Sequence, residues 1–159
     1  MDDDEIRFLE IAYEEADGSP MSTVSSQAVG RKLGTDEDRQ RRLERDLMDR
    51  GLLEDAGSRY RLRIPAIHGV EEQRLEEGRE EVVDERRRQR GDYVREVYDL
   101  ADEDPTLAVP LSDVKEQLAM AADVEKRTRE YLEAAGLVVV DEENHVQLTK
   151  QGAEWARQA

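Results

Sequence analysis

The chain has 159 residues, with 40 acidic against 24 basic residues, no cysteine and a formal net charge of −16. The lack of cysteine excludes disulfides, thiolate metal sites and cysteine nucleophiles, and it is typical of a reducing compartment. The sequence contains no run of 18 apolar residues, and its acidic start, Met1 to Glu5, lacks the basic and apolar blocks of a signal peptide. We therefore expect a cytoplasmic protein that does not enter a membrane.

The basic residues are 20 arginines and only 4 lysines, and the chain has one Phe and one Trp. A surface rich in acids and poor in lysine resembles the proteins of salt-loving archaea. Molar salt shortens the screening length to about 3 Å and weakens the self-repulsion that such a net charge causes. The acidity then indicates a habitat rather than a binding partner.

A repeat organises the chain. Shifted by 85 positions, residues 17–52 align without gaps on residues 102–137. Most of the identities fall on apolar, glycine and proline positions, which determine structure more than function. The matched pairs are Asp17 and Asp102, Pro20 and Pro105, Val24 and Val109, Val29 and Val114, Leu33 and Leu118, Asp38 and Asp123, Arg42 and Arg127, Leu47 and Leu132, Gly51 and Gly136, Leu52 and Leu137.

The first copy begins with two predicted helices. Apolar residues at helical spacing predict a helix over residues 4–16, which ends at the breaker Gly18-Ser19-Pro20. Thr23 is the predicted N-cap of a short second helix, and Gly34 is its predicted left-handed C-cap.

A third helix and a hairpin complete this copy. Thr35 and Asp38 approximate a capping box, and we expect the third helix to run to Gly51 with its leucines inward. The alternation after it predicts a two-stranded hairpin, with Tyr60, Leu62 and Ile64 on one face.

The second copy repeats this order. It predicts a first helix up to Asp104-Pro105, a second helix, a third helix from Asp123 to Gly136, and a hairpin with an acidic turn at 141–144. Thr149 is the predicted cap of a last helix. The aromatic residues expected in the core are Tyr93, Tyr98, Tyr131 and Trp155.

Three helices followed by a hairpin is the order of the winged helix-turn-helix. The segments Leu43–Leu53 and Thr128–Val138 resemble the end of the recognition helix in winged-helix transcription regulators. Leu148-Thr149-Lys150-Gln151-Gly152 resembles the run that follows the wing in regulators of the multiple-antibiotic-resistance and phenolic-acid types. The first copy departs from that run, with Leu62-Arg63-Ile64-Pro65-Ala66 in its place.

The resemblance implies an α+β, mostly helical fold. It implies two winged-helix units of three helices and a two-stranded wing, at residues 1–70 and 93–159. A charged helical linker, residues 71–92, is expected to join them. Because the linker alternates acidic and basic blocks with few apolar residues, it is either a solvated spacer helix or a dimerising helix.

The first unit carries the predicted DNA contacts. In a winged helix the third helix offers its outer face to the major groove, and the wing lies near the backbone. The window from Arg39 to Arg63 holds eight arginines against five acids, a local net charge of +3. These arginines either contact double-stranded DNA or pair with nearby acids on a solvated face. The candidates are Arg39, Arg41, Arg42 and Arg45 on the helix, and Arg59, Arg61 and Arg63 on the wing.

The second unit offers weaker candidates. Its third helix directs Lys126, Arg127 and Arg129 outward or to the flank, but the wing is acidic and should repel phosphate. We therefore expect this unit to serve assembly, as a homodimer or protein-partner module. Val139 is expected outward if its neighbours lie inward.

No catalytic constellation is evident. The two histidines, His68 and His145, stand at the ends of different hairpins, and the sequence offers no phosphate loop and no set of metal ligands. We expect a non-enzymatic protein without cofactor or metal that binds DNA as a transcription regulator. The alternative is a protein-protein interaction scaffold built from two winged helices.

Overall fold

The computed structural model describes residues 1–158, and the chain divides into two compact units, Met1–Glu80 and Glu81–Ala159. Each unit combines four helices with a small antiparallel sheet, so the fold is α+β and mostly helical.

Unit 1 contains seven elements. In chain order they are α1 (Asp3–Glu15), β1 (Val24–Ser25), α2 (Ser26–Leu33), α3 (Glu37–Asp49), β2 (Leu53–Asp55), β3 (Arg59–Leu62) and α4 (Ile64–Glu76). The sheet order is β1-β3-β2, and both pairings are antiparallel. The register sets Val24 opposite Tyr60 and Leu53 opposite Leu62.

Unit 2 follows the same order. Its elements are α5 (Glu81–Leu100), β4 (Val109–Pro110), α6 (Leu111–Leu118), α7 (Ala122–Ala134), β5 (Val138–Val140), β6 (His145–Leu148) and α8 (Lys150–Gln158). The sheet order is β4-β6-β5, again antiparallel. Val109 lies opposite Val146, and Val138 lies opposite Leu148.

Both units therefore have winged-helix-like order, but each has a third strand beyond the predicted two. β1 and β4 are only two residues long, so no alternating pattern marks them in the sequence. Each joins the inner hairpin strand of its own unit and ties the loop after the first helix to the wing.

Two matched glycines end the third helices. Gly51 and Gly136 both have φ of 73°, a left-handed conformation that costs other residues energy. In each case the residue after the glycine donates its amide to a carbonyl five residues back, Leu52 to Leu47 and Leu137 to Leu132. The same capping geometry therefore recurs at positions 85 residues apart.

Two predicted N-caps and one predicted helix start were wrong. Ser25, not Thr23, caps α2 by accepting from the amide of Ala28, and Asp36, not Thr35, caps α3. In unit 2, α7 begins at Ala122 with no side-chain cap, although Asp123 was expected to start it. These misses are shifts of one or two residues, because several neighbouring side chains can accept from the same free amides.

The cap of the last helix is confirmed. Thr149 Oγ1 accepts from the amide of Gly152 at 3.1 Å and donates to the carbonyl of Gly136 at 2.6 Å. Unit 1 also has a final helix, α4, although it lacks the matching run. Ile64, expected on the strand, begins that helix because Pro65 fits the first turn, where no amide donor is needed.

Each unit has its own core. The fully buried side chains of unit 1 include Phe8, Leu9, Tyr13, Val29, Leu47, Leu62 and Ile67. Those of unit 2 include Val83, Tyr93, Val94, Val97, Val114, Leu132 and Val146.

The aromatic predictions held in part. Tyr93 is buried, and Tyr98 and Tyr131 are half-buried and pack against the core of unit 2. Trp155 was expected in the core but is 39% exposed. It lies on α8 beside the small residues Gly152, Ala153 and Ala156, which form the buried face of that helix.

Residues 71–92 do not form one element. They comprise the end of α4, a loop around Gly78, and the first half of α5. Several of their side chains are buried within their own units: Glu71 and Arg74 in unit 1, and Val83 and Arg90 in unit 2. Arg74 lies over the Tyr13 ring and pairs with Glu14, and Arg90 lies over the Tyr131 ring.

Within residues 1–158, no helix is both long enough and apolar enough to cross a membrane.

Candidate nucleic-acid interface

The third helix of unit 1 has one buried and one charged side. Its buried residues are Gln40, Leu43, Glu44 and Leu47. On the opposite side, Arg41, Arg42 and Arg45 are exposed, as helical geometry predicts from inward-facing leucines. In a winged helix this outer face of the third helix is the one that meets a groove.

The outward arginines differ in how strongly they are held. Arg41 lies 3.7 Å from Glu37 one turn earlier, and with both side chains well exposed this pair contributes little. Among the described residues, Arg42 and Arg45 make no ion pair or hydrogen bond through their side chains. Their guanidinium groups can therefore engage a phosphate or a guanine edge without first breaking a contact.

Arg39 turns toward the first helix instead. Its Nε donates to Asp4 Oδ2 at 2.8 Å, and its Nη2 donates to the same oxygen. The hydrogen bond and the charge of Asp4 raise the pKa of Arg39 above its ordinary value. Arg50, at the end of α3, pairs with the buried Glu5 at 2.9 Å. These two arginines bind α3 to α1, so Arg39 is less suited to a ligand than the sequence predicted.

The wing supplies three more arginines. Arg59 donates to Thr23 through Nε at 2.7 Å and through Nη2 to the carbonyl at 2.9 Å, which fixes it along the sheet edge. Arg61 lies opposite Glu54 in the strand register and is half-buried. Arg63 is exposed at the start of α4. Arg61 and Arg63 therefore remain the candidates whose side chains hold no hydrogen bond among the described residues.

A buried carboxylate links the third helix to the wing. Glu44 is only 4% exposed and accepts hydrogen bonds from Ser26 Oγ at 2.5 Å, Gln40 Nε2 at 2.9 Å and the Tyr60 hydroxyl at 2.7 Å. Burial raises the pKa of Tyr60 well above its ordinary value, and the hydrogen bond to Glu44 raises it further. The network connects α2, α3 and β3, so it fixes the wing relative to the helix.

This network was missed in the sequence. One of the two alternatives for the arginines, pairing with nearby acids on a solvated face, includes Glu44 among those acids, but Glu44 is buried. The available signal was that Gln40, Leu43, Glu44 and Leu47 repeat at three and four residues, which places all four on one helix face. A charged residue on an apolar face indicates a buried polar contact.

The third helix of unit 2 has its basic residues engaged. Arg129 donates to Glu125 through Nε at 3.0 Å, and Glu125 is also the acceptor for the Tyr93 hydroxyl at 3.0 Å. Lys126 lies 4.0 Å from Glu130. Arg127 also has an interacting group. Arg129 was predicted to flank the outer face, but the structure commits it to a buried carboxylate.

The second wing differs from the first in charge and polarity. Val139 is 57% exposed, whereas Val138 is buried and Val140 packs against the core, so the expected outward direction of Val139 is confirmed. Asp141 accepts from the amides of His145 and Glu143, both at 2.9 Å, and these bonds lower its pKa. The wing of unit 2 therefore exposes carboxylates and one valine, not guanidinium groups.

One of the two histidines lies where it was predicted: His145, at the end of the second hairpin. His68 lies within α4, not at the end of a hairpin, and its Nε2 is 3.9 Å from Glu72. His145 begins β6, and its Nδ1 is 3.6 Å from Asp141. Throughout the described part of the chain, no group of three or more His, Asp or Glu side chains is arranged to hold a metal.

Comparisons with known proteins give little further information. No family model matches the sequence, and no curated protein matches it. A solved structure of the mRNA-binding domain of elongation factor SelB from E. coli, in complex with SECIS RNA, is similar to this chain at 14% identity and a TM-score of 0.36. The match covers 94% of this chain and all of that one. A likeness at this score decides neither fold nor function.

Proposed function

We propose that this protein binds double-stranded DNA through unit 1 and acts as a transcription regulator. One observation carries the proposal: the side chains of Arg42 and Arg45 are exposed on α3 with no partner among the described residues. In the same unit Arg61 lies on the wing, and Arg63 lies just after it, at the start of α4. A winged helix uses these two elements to contact a groove and the adjacent backbone. The hydrogen bond between Tyr60 and Glu44 supports a fixed spacing between α3 and the wing.

Electrostatics makes the proposed binding local. The whole chain carries −16, so a duplex is repelled by most of the surface and attracted only at the face with exposed arginines. Phosphate contacts weaken steeply as salt rises, and a protein with few of them depends on base contacts and shape. The acidic, lysine-poor composition is suited to concentrated salt, where repulsion between distant charges is screened.

We propose a different role for unit 2. Its third helix pairs Lys126 and Arg129 with acids, and its wing exposes Val139 beside carboxylates. These features disfavour binding to phosphate groups and favour binding to a second copy of the chain or to another protein. If unit 1 does not bind DNA, the same features support the alternative, a non-catalytic scaffold. Residues 71–92 remain a second proposed region for such a partner.

The experiment compares duplex binding by the wild type and by the Arg42→Glu/Arg45→Glu variant. Fluorescence anisotropy with a random duplex is measured over a range of KCl concentrations. If both arginines contact phosphates, the variant loses affinity and the slope of log K against log salt falls by about 2. The triple variant Arg41→Glu/Arg42→Glu/Arg61→Glu should lose still more, because it removes a wing contact as well.

A matched control removes the same charge elsewhere. Arg88→Glu/Lys150→Glu changes two exposed residues of unit 2 and alters net charge by the same amount. We expect it to retain most of the duplex affinity. Equal losses in the two double variants would show that only net charge matters, and equal or absent binding by all proteins would favour the scaffold.

A further inference from the structure

A polar hollow lies between α2 and α3 of unit 1. Its volume is about 690 Å³, and it is open to solvent. Serine and threonine hydroxyls, glycines and two glutamine amides make up most of its lining, and no large apolar side chain contributes. Charged groups also line it, namely Arg31, Glu37, Arg41 and Glu44.

The lining carries a buried charge without a cation. Glu44 accepts only from Ser26, Gln40 and Tyr60, all neutral, and no lysine or arginine of residues 1–158 lies within ion-pair distance of it. A buried carboxylate is costly unless a positive group compensates it. Thr35, which also lines the hollow, has an Oγ1 atom that is buried with no hydrogen-bond partner.

The equivalent helix of unit 2 provides its own cation. There the buried carboxylate is Glu125, and Arg129 one turn later donates to both of its oxygens, with Lys115 Nζ 3.9 Å away. Residues 40 and 44 of unit 1 match 125 and 129 in the repeat. Unit 1 therefore has an amide, Gln40, at the position of the unit 2 carboxylate, and a carboxylate, Glu44, at the position of the arginine. Glu44 has no cation beside it and belongs to the lining of the hollow.

We propose that this hollow binds a polar α-amino acid. The ammonium group would lie against the Glu44 carboxylate, and the ligand carboxylate would lie toward Arg31 and Arg41 at the exposed part of the lining. Both guanidinium groups disfavour a ligand that is only cationic, and Glu37 and Glu44 disfavour one that is only anionic. A lining without large apolar side chains disfavours a hydrophobic ligand.

Arg41 belongs both to this hollow and to the face of α3 with exposed arginines. If unit 1 binds DNA as proposed above, a bound amino acid competes for Arg41 and weakens the duplex complex. The amino-acid site itself does not depend on that proposal.

The first test contains no DNA. L-Glutamine, L-serine and L-arginine are titrated into the full chain by calorimetry at millimolar concentration. ¹H–¹⁵N spectra of the same mixtures are recorded to locate the shifts. At least one amino acid should bind, with shifts centred on backbone amides of residues 25–44. Absence of binding by all three, or shifts confined to unit 2, would overturn the proposal.

Ligand analogues test the two charges without altering the protein. N-acetyl-L-glutamine lacks the ammonium group, and L-glutaminamide lacks the carboxylate. If glutamine is a ligand, each analogue should bind about tenfold more weakly or worse. If instead serine or arginine binds, its N-acetyl and amide forms serve in the same way. Equal binding by the N-acetyl form would show that Glu44 does not hold an ammonium group.

The matched variants are Glu44→Gln and Glu37→Gln. Both remove one negative charge from the same hollow, but only the first removes the buried one. Glu44→Gln should bind the free amino acid and its N-acetyl form equally, whereas Glu37→Gln should still prefer the free amino acid. Equal effects of the two substitutions would indicate a general attraction of cations to an acidic protein and would overturn the proposal. If Glu44→Gln does not fold, the ligand analogues still show whether the wild type recognises the ammonium group.

A final arm separates this inference from DNA binding. The bound amino acid should weaken duplex binding by the wild type. It should weaken duplex binding by the control Arg88→Glu/Lys150→Glu to the same extent. If the protein binds the amino acid but no duplex, the proposed function fails and the site stands.

Discussion

The Tyr60 hydroxyl of β3 donates to Oε2 of Glu44 in α3 at 2.7 Å, so the wing is hydrogen bonded to a buried carboxylate of the third helix. Removing this donor leaves a charged acceptor less satisfied. Hydrogen bonds to charged groups contribute about 1.5–3 kcal/mol. We expect Tyr60→Phe to lower the free energy of unfolding by an amount in that range, measured by urea titration.

Tyr98→Phe is the control for this measurement, because the Tyr98 hydroxyl accepts a long hydrogen bond of 3.4 Å from the exposed Arg157. It should change stability by less than about 0.5 kcal/mol. Similar losses for both variants would mean that the contact with Glu44 is not special.

Stability should fall in alkaline solution because of two tyrosines. Burial raises the pKa of Tyr93, and the neighbouring Glu125 charge raises it further; burial and the Glu44 hydrogen bond do the same for Tyr60. In the unfolded chain both ionise near the ordinary tyrosine pKa of about 10. Their contribution to stability is therefore fully present below pH 10 and is lost as pH rises through the raised values.

Absorbance of tyrosinate checks this directly. We expect Tyr60 and Tyr93 to ionise only when the protein unfolds, so Tyr60→Phe should remove one of these late ionisations. If Tyr60 and Tyr93 titrate near pH 10 in the folded state, their hydrogen bonds to Glu44 and Glu125 are not maintained in solution.

Two helical glycines should respond oppositely to alanine. A Cβ on Gly152 would lie 2.0 Å from the backbone oxygen of Leu137, whereas a Cβ on Gly91 meets nothing within 4 Å. Gly91→Ala should stabilise the chain by about 0.5–1 kcal/mol, since alanine is the better helix former. Gly152→Ala should destabilise it by about 1–3 kcal/mol, because backbone must move to admit the methyl group.

Thermal unfolding of the two variants provides the measurement. Both changes add one methyl group within unit 2, so composition is matched. Stabilisation by Gly152→Ala would contradict the close approach of α8 to Leu137.

The two units should fold separately. The chain divides between Glu80 and Glu81, just after Gly78 at φ of 75°. We expect residues 1–80 and 81–159, expressed apart, each to show helical circular dichroism and a cooperative thermal transition. Loss of structure in either fragment would show that the cores of the two units depend on each other.

The helices were predictable because their apolar residues recur at helical spacing. Leu43 and Leu47 orient α3, and the same rule places Arg41, Arg42 and Arg45 outward. The matched glycines 51 and 136 indicated equivalent helix ends, and both adopt the same left-handed conformation. Local spacing and turn chemistry are sufficient for such features.

Contacts between distant residues were not predictable in this way. The pairing of Arg39 with Asp4 joins residues 35 apart, and that of Arg59 with Thr23 joins residues 36 apart. In a chain with 40 acids, every arginine has many sequence neighbours of opposite charge, so partner choice depends on packing. For the same reason the sequence did not separate the engaged arginines from Arg42 and Arg45.

The third helices of the two units also limit how the units can be recombined. Unit 1 has an amide followed by a carboxylate at positions 40 and 44, and unit 2 has a carboxylate followed by a guanidinium at 125 and 129. Tyr60 meets the second position in one unit, whereas Tyr93 meets the first in the other. A chimera that exchanged α3 for α7 would keep the helix length and the leucine of position 47. It would put Thr128 in place of Leu43 and set Arg129 against Tyr60 and Ser26, two groups that now donate to an acid. The halves of this chain are thus alike in outline and not interchangeable in parts.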